Sequence, residues 1–309
     1  MKILFFGTPN FGAEILDFLL QNHISIAAVV TQPDRPKGRS GLPAPSAVKQ
    51  VALEAGLAIL QPEKASQTDF LAEISSCAAD LYVVVAFGQI LPQKLLDIPP
   101  LGCINVHASL LPKYRGAAPM QRSLMDGSAE TGVSIQKMVK QLDAGDVIAE
   151  SKISVPLDMT FGQLQEVLCE ASKPLLLSVI HSYEQGIPSA KAQDPAQVTF
   201  APKIEQEECQ IDWRVSAETV HNKVRGLSPR PGAWCWTEMG GEKRRLKILR
   251  TKVVCKEGPA MQLLPSEALI YCGQRAVQLV EVQPEGKKAM SASDWLRGLK
   301  EPPVFLSAT

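Results

Sequence analysis

The chain reads as an α/β protein: an open, mostly parallel sheet with helices on both faces, followed by a small β-barrel. Three observations predict this. Apolar strand-like runs alternate with amphipathic helical stretches over roughly the first 186 residues, as in a sheet built by crossover connections. Residues 187–208 carry Pro188, Pro195 and Pro202 with few large apolar clusters, and read as a linker. From residue 209 the pattern changes to short strands, which suits a barrel of the open OB type. The expected organisation is a Rossmann-like domain over 1–188, a linker over 189–208 and an OB-like domain over 209–309.

The elements follow in order. MKILFFGTPNFGAEILDFLL is strand, tight turn and helix; Gly7 and Gly12 bracket the turn, and Ile15, Leu16, Leu19 and Leu20 form the apolar stripe. ISIAAVVTQ is apolar on both parities, as a strand covered on two faces must be. TQPDRPKGRSGLPAPSA is rich in proline and glycine, a loop whose length points to a task beyond connection. SAVKQVALEAG is a helix, LAILQP a short strand, and TDFLAEISSCA a helix that Thr68 or Asp69 can cap. ADLYVVVAFGQIL is a buried strand that turns at Gly88, and GCINVHAS is the next strand. GAAPMQRSLMDG is expected to be helical, TGVSIQKMV and GDVIAESKISV strands, and TFGQLQEVLCEASKPLLLSVIHSYEQG a long helix interrupted at Pro174. Beyond the linker the strands CQIDW, GAWCWTE, RRLKILRTKVV, ALIYCG and AVQLVEVQP are joined by two helices, AETVHNKVRG and SASDWLRGL.

Composition narrows the class. Hydrophobic residues make up 45% of 309 and charged residues 21%, enough core for two domains and too little charge for disorder. Formal net charge is zero, but Lys and Arg outnumber Asp and Glu by 17 to 13 after residue 200, which permits an anionic partner there. Seven cysteines are scattered without a CxxC pair, which argues against a disulfide framework or a zinc site and fits a reducing cytoplasm. No apolar run approaches the ~20 residues that span a bilayer, and the start of the chain reads as a strand of the folded domain instead of a targeting signal.

The chemistry is expected on one rim of the sheet. GTPNFG is not a dinucleotide fingerprint, because Pro9 stands where the second glycine belongs and no acidic residue closes the second strand. Ligands of open α/β sheets lie beyond the carboxyl ends of the strands, and Gly7, Gly88 and the pair Asn105 and His107 all fall there. Successive strand residues alternate faces, so Asn105 and His107 point the same way, and the Ser-Leu-Leu-Pro that follows leaves them at the strand end. His23, His181 and His221 have no such patterned neighbour. Asp143, in LDAGD, is a candidate partner or a cap of its own turn. An amide, an imidazole and a carboxylate can move protons and steady an oxyanion without a metal.

These residues sit in stretches that resemble the methionyl-tRNA formyltransferases, within the folate-dependent formyltransferase family. The matching pieces are GTPNFG at 7–12, TQPDRPKGR at 31–39, NVHASLLPKYRGAAP at 105–119, LDAGD at 142–146, FAPKIEQEE at 200–208, IDW at 211–213 and HNKVRGLSPRPGAW at 221–234. The resemblance implies formyl transfer from 10-formyltetrahydrofolate to the methionine α-amine of initiator methionyl-tRNA; a cytoplasmic monomer without metal or membrane is the default expectation beside it. The resemblance also implies Asn105 as oxyanion donor, His107 as donor or proton mover, and Asp143 either orienting His107 or relaying a proton. Ser109, Leu110, Leu111 and Pro112 match the folate-binding segment, with Phe87 and Gly88 near the pterin. Arg35, Lys37 and Arg39 fall on the loop that meets the tRNA acceptor stem; Arg39 matches its arginine, while Ser40, Gly41 and Leu42 replace lysines found in many relatives. A basic cluster in the last hundred residues, above all Arg244, Arg245 and Lys247, suits an RNA backbone. Trp213, Trp234 and Trp236 fit a barrel core better than base stacking. The rivals are a formyltransferase acting on an amino-sugar nucleotide and a noncatalytic RNA-binding protein.

Overall fold

The computed structural model describes residues 1–36 and 41–306. In chain order its elements are β1 (Ile3–Gly7), α1 (Asn10–Gln21), β2 (Ile26–Val30), β3 (Arg35–Pro36), β4 (Pro43–Ala44), α2 (Ala47–Glu54), β5 (Ile59–Leu60) and α3 (Thr68–Ser76). Then come β6 (Leu81–Val85), α4 (Gln93–Leu96), β7 (Cys103–His107), α5 (Pro119–Met125), β8 (Glu130–Lys137), β9 (Val147–Ser154) and α6 (Phe161–Gln185). The remainder is α7 (Ala217–Leu227), β10 (Ala233–Met239), β11 (Glu242–Val254), β12 (Leu263–Leu264), β13 (Leu269–Tyr271), β14 (Ala276–Pro284), β15 (Met290–Ser291), α8 (Ala292–Arg297) and β16 (Val304–Phe305).

The chain divides into two compact units. One is built from Met1–Gly116, Gly132–Ile153 and Gln165–Phe200, the other from Ala117–Thr131, Ser154–Leu164 and Ala201–Thr309. The first holds a seven-stranded sheet in the order β5-β2-β1-β6-β7-β8-β9. From β5 to β7 the pairs are parallel; β7 and β8 are antiparallel. Every residue of β1 and β6 is buried, which explains their unbroken apolar runs. Gly7 and Gly12 permit the close approach of α1 to this sheet: a Cβ on either would lie 3.1 Å from the Val85 carbonyl oxygen.

Two local expectations are corrected. Pro174 does not interrupt α6, which runs as one helix of 25 residues. Leu168, Leu176, Val179, Ile180 and Tyr183 are buried on both sides of the proline, so packing outweighs the lost backbone hydrogen bond. Thr68 and Asp69 lie inside α3, whose first flanking residue is Gln67 with no side-chain cap.

The second unit holds an antiparallel, barrel-like sheet in the order β12-β13-β14-β11-β10-β16, with β15 added to β14. The register of β11 against β14 shifts around Arg250, a bulge that lets a 13-residue strand bend. Its core contains Trp213, Val220, Val224, Ile248, Ile270, Val282, Trp295 and Phe305. Trp213 and Phe305 meet edge to face with centroids 5.6 Å apart. Ser216 caps α7 by accepting from the Thr219 N–H. No helix among the described residues is long and apolar enough to cross a membrane.

Candidate active site at the carboxyl end of β7

β7 places Asn105 and His107 on one face, as the alternation predicts, and pairs them with Gln136 and Ser134 of β8. Asn105 is half-buried, and its carboxamide makes no hydrogen bond to any described residue. His107 is 5% exposed. Its Nε2 lies 2.9 Å from the Tyr114 carbonyl oxygen, and its Nδ1 lies 3.7 Å from Asp143 Oδ1. A carbonyl only accepts, so Nε2 carries a proton and Nδ1 is the atom open to proton exchange. The 3.7 Å gap exceeds a hydrogen bond. Tyr114, not Asp143, therefore fixes the ring directly.

Asp143 adopts a left-handed backbone, φ 46°, which Asp tolerates better than most residues. Its carboxylate does not cap its own turn. Oδ2 accepts from the Gly116 N–H at 2.8 Å and Oδ1 from Gln136 Nε2 at 2.9 Å. The loop is pinned on its other side by Gln193, whose Nε2 donates to the carbonyls of Asp143 (2.9 Å) and Gly145 (2.6 Å). Gln193 Oε1 accepts in turn from Nε and Nη2 of buried Arg115. Gly145 has no room for a side chain: a Cβ would fall 1.7 Å from the Lys137 carbonyl oxygen. The structure thus gathers Asn105, His107 and Asp143 at one strand end.

Sequence reasoning missed Gln136, Gln193, Arg115 and the Tyr114 carbonyl. Gln136 was findable, because it alternates with Ser134 on one face of the strand and is flanked by the apolar Val133 and Ile135 on the other. Gln193 gave no signal, since it lies in the proline-rich stretch read as linker. That stretch pairs with the first unit through bridges from Lys191 to Val147 and from Phe200 to Arg115.

The segment Ser109–Pro112 is a turn whose polar groups are largely used internally. The fully buried Ser109 hydroxyl donates to the Lys113 carbonyl at 2.6 Å. The Ser134 hydroxyl accepts from the Leu111 N–H at 3.0 Å and donates to the Ser109 carbonyl at 2.8 Å. Leu111 is buried, Leu110 lies over Gly132, and the Leu111–Pro112 peptide is cis. Phe87 packs its ring edge to face on Phe6, centroids 5.4 Å apart, and its carbonyl accepts from Thr8 Oγ1 and Gln32 Nε2. Gly88 has φ 86°, a conformation suited to glycine.

The basic candidates divide. Lys37 and Arg39 lie outside the described residues. Arg35 forms an exposed ion pair with Glu63. Arg244 pairs with Glu242 and faces Thr237, whereas Arg245 and Lys247 face Trp236 and Trp234. Lys247 Nζ donates to the Pro231 carbonyl at 2.7 Å; burial, and then Arg245 and Arg230, lower its pKa. Trp213 and Trp234 are buried and Trp236 half-buried.

Comparison with known proteins agrees with this architecture. A family described as formyl transferase matches residues 1–180, and the formyl transferase C-terminal domain matches 203–300. Methionyl-tRNA formyltransferase of Protochlamydia amoebophila is 49% identical over 306 residues, covering 97% of this chain and 96% of that one. The same enzyme of Lysinibacillus sphaericus is 44% identical, covering 96% of each chain. Among solved structures, HypX from Aquifex aeolicus in complex with tetrahydrofolic acid superposes with a TM-score of 0.67 at 18% identity. That match covers 98% of this chain and 48% of HypX, so the chain spans about half its length. An N-formyltransferase from Helicobacter canadensis with folinic acid and dTDP-3-aminofucose has a TM-score of 0.66 at 15% identity, covering 90% and 99% of the two chains. The two structures share the fold; the sequence relatives establish that this chain belongs to the methionyl-tRNA formyltransferase family.

Proposed function

We propose that this protein transfers the formyl group of 10-formyltetrahydrofolate to the α-amine of methionine on initiator methionyl-tRNA, in the cytoplasm and as a monomer. The observation that carries the reading is the Asn105 carboxamide, without a hydrogen-bond partner among the described residues, beside a histidine of fixed tautomer and an anchored carboxylate. As the amine attacks the formyl carbon, the carbonyl oxygen gains negative charge. The Asn105 N–H₂ donates to it, and removal of such a donor typically costs about 3 kcal/mol of barrier. His107 Nδ1 takes the proton that the amine must lose. Asp143, 3.7 Å away, stabilises the imidazolium so formed, and the proton then passes to N10 of the departing folate. No step needs a metal.

The turn Ser109, Leu110, Leu111, Pro112 supplies a rigid wall for the folate, with Phe87 and Gly88 forming the neighbouring edge. Ser109 acts through the shape of that turn, because its hydroxyl is already committed to Lys113. Arg35, Lys37 and Arg39 meet the acceptor stem, and Arg245 and Lys247 meet RNA phosphates, with Arg244 weakened by Glu242. In this reading 1–188 does the chemistry, 209–309 holds the tRNA, and 189–208 connects them while lending Gln193 to the site.

The test is formyl transfer to initiator methionyl-tRNA, elongator methionyl-tRNA and a dTDP-amino sugar in parallel. Product from the initiator alone is expected. Product from the sugar alone would keep the chemistry and overturn the partner.

A further inference from the structure

We propose that the face of β10 and β11 carrying Trp234 and Trp236 reads RNA phosphates, with the two indoles mounting its cations instead of stacking on bases. The proposal rests on the tRNA reading above and deepens it. The register sets Trp236 opposite Arg245, Trp234 opposite Lys247 and Glu238 opposite Lys243, so all six share one face. Lys243 and Arg245 each lean to the diagonal tryptophan. Lys243 Nζ lies 4.7 Å from the Trp236 ring centroid, and the Arg245 guanidinium 5.3 Å from that of Trp234. Both are within cation–π range. The indoles also meet each other edge to face, centroids 5.5 Å apart.

This arrangement commits the aromatic faces. Trp234 is 9% exposed and carries Arg245 over its ring, and the half-buried Trp236 carries Lys243, so a base stacking on either covered face must displace a cation. The cations gain by the same contacts. Long basic side chains lose rotamer freedom when they bind a phosphate, and a mount supplied beforehand reduces that cost. Alternate residues of a strand are about 6.6–6.8 Å apart, so Lys243, Arg245 and Lys247 form an ordered row. Lys247 closes it through the Pro231 carbonyl. Arg244 points to the opposite face and is paired with Glu242, so Lys243 replaces it in the surface. Glu238, beside Lys243, and Glu285, whose carboxylate accepts from the Arg245 backbone N–H at 3.4 Å, are acidic groups near the row and temper its field.

The experiment is initiator-tRNA binding by fluorescence anisotropy across a series of salt concentrations, with the full chain. Lys243→Ala is expected to lower the slope of log K against log salt by about 0.7–0.9, one phosphate contact. Trp236→Leu, with Lys243 present, is expected to weaken binding about threefold, as loss of an exposed cation–π contact does. In the Lys243→Ala background it adds nothing, and Trp236→Phe restores binding. An equal loss from Trp236→Leu in both backgrounds means base stacking and overturns the proposal. An unchanged slope for Lys243→Ala overturns it too. Formyl transfer by the same proteins reports separately: normal slopes with no product from initiator tRNA would sink the functional reading and leave the surface standing.

Discussion

Gln193 bears on the candidate site through the backbone it holds. Its amide donates to two carbonyls of the Asp143 loop and accepts from Arg115, so it holds the backbone that aims the carboxylate. A displacement of about 1 Å at a reacting group can cost 10²-fold. Gln193→Ala is therefore expected to lower kcat by about 10²-fold, with the KM for tRNA within twofold. Gln193→Glu keeps the acceptor for Arg115 but loses both donated bonds, and should fall as far. Full kcat in either variant would show that the loop needs no clamp. That Asn105 and His107 share one face of β7 was legible because strand parity is a local rule. Gln193 was not, because it lies 50 residues from Asp143 in sequence and meets it only in the folded chain.

At the scale of elements, α5 is fastened by one arginine. Arg122 donates to the carbonyls of Pro202 and Lys203 and makes a two-pronged contact with Glu208 at 2.8 and 3.0 Å. Burial by itself would raise the Glu208 pKa, but Arg122 and the Glu205 N–H outweigh it and leave the carboxyl below its ordinary 4.5. A depressed carboxyl contributes stability that is complete above the unfolded value and is lost as pH falls through the folded one. Glu208→Gln should therefore be about 1 kcal/mol less stable at neutral pH, a figure discounted for partial exposure. The deficit should shrink as pH drops below 4.5. Urea melts followed by tryptophan fluorescence check this, since all four tryptophans lie in the second unit. A deficit independent of pH would contradict it. The pairing was hidden in the sequence because its partners are 86 residues apart. The α6 proline misled for a related reason: a local rule about proline gave way to burial on both sides of it.

On the scale of the whole molecule, the alternation of elements revealed the parallel sheet, and the change of period after residue 208 revealed the barrel. Periodicity reports which face of a segment is buried, so it survives in a single sequence. It does not report which chain segments fold back together. Residues 117–131 and 154–164 join the second unit although the pattern around them is that of the first. The proposed site residues Asn105, His107 and Asp143 fall in one unit and the tryptophan-backed basic face in the other. Chemistry and tRNA affinity should therefore separate. The most direct test is Asn105→Ala, measured in single turnover together with its Kd for initiator methionyl-tRNA. The oxyanion role predicts a rate lower by about 10²–10³-fold and a Kd within twofold of the unsubstituted protein. An undiminished rate, or a Kd that worsens in step with the rate, would contradict it.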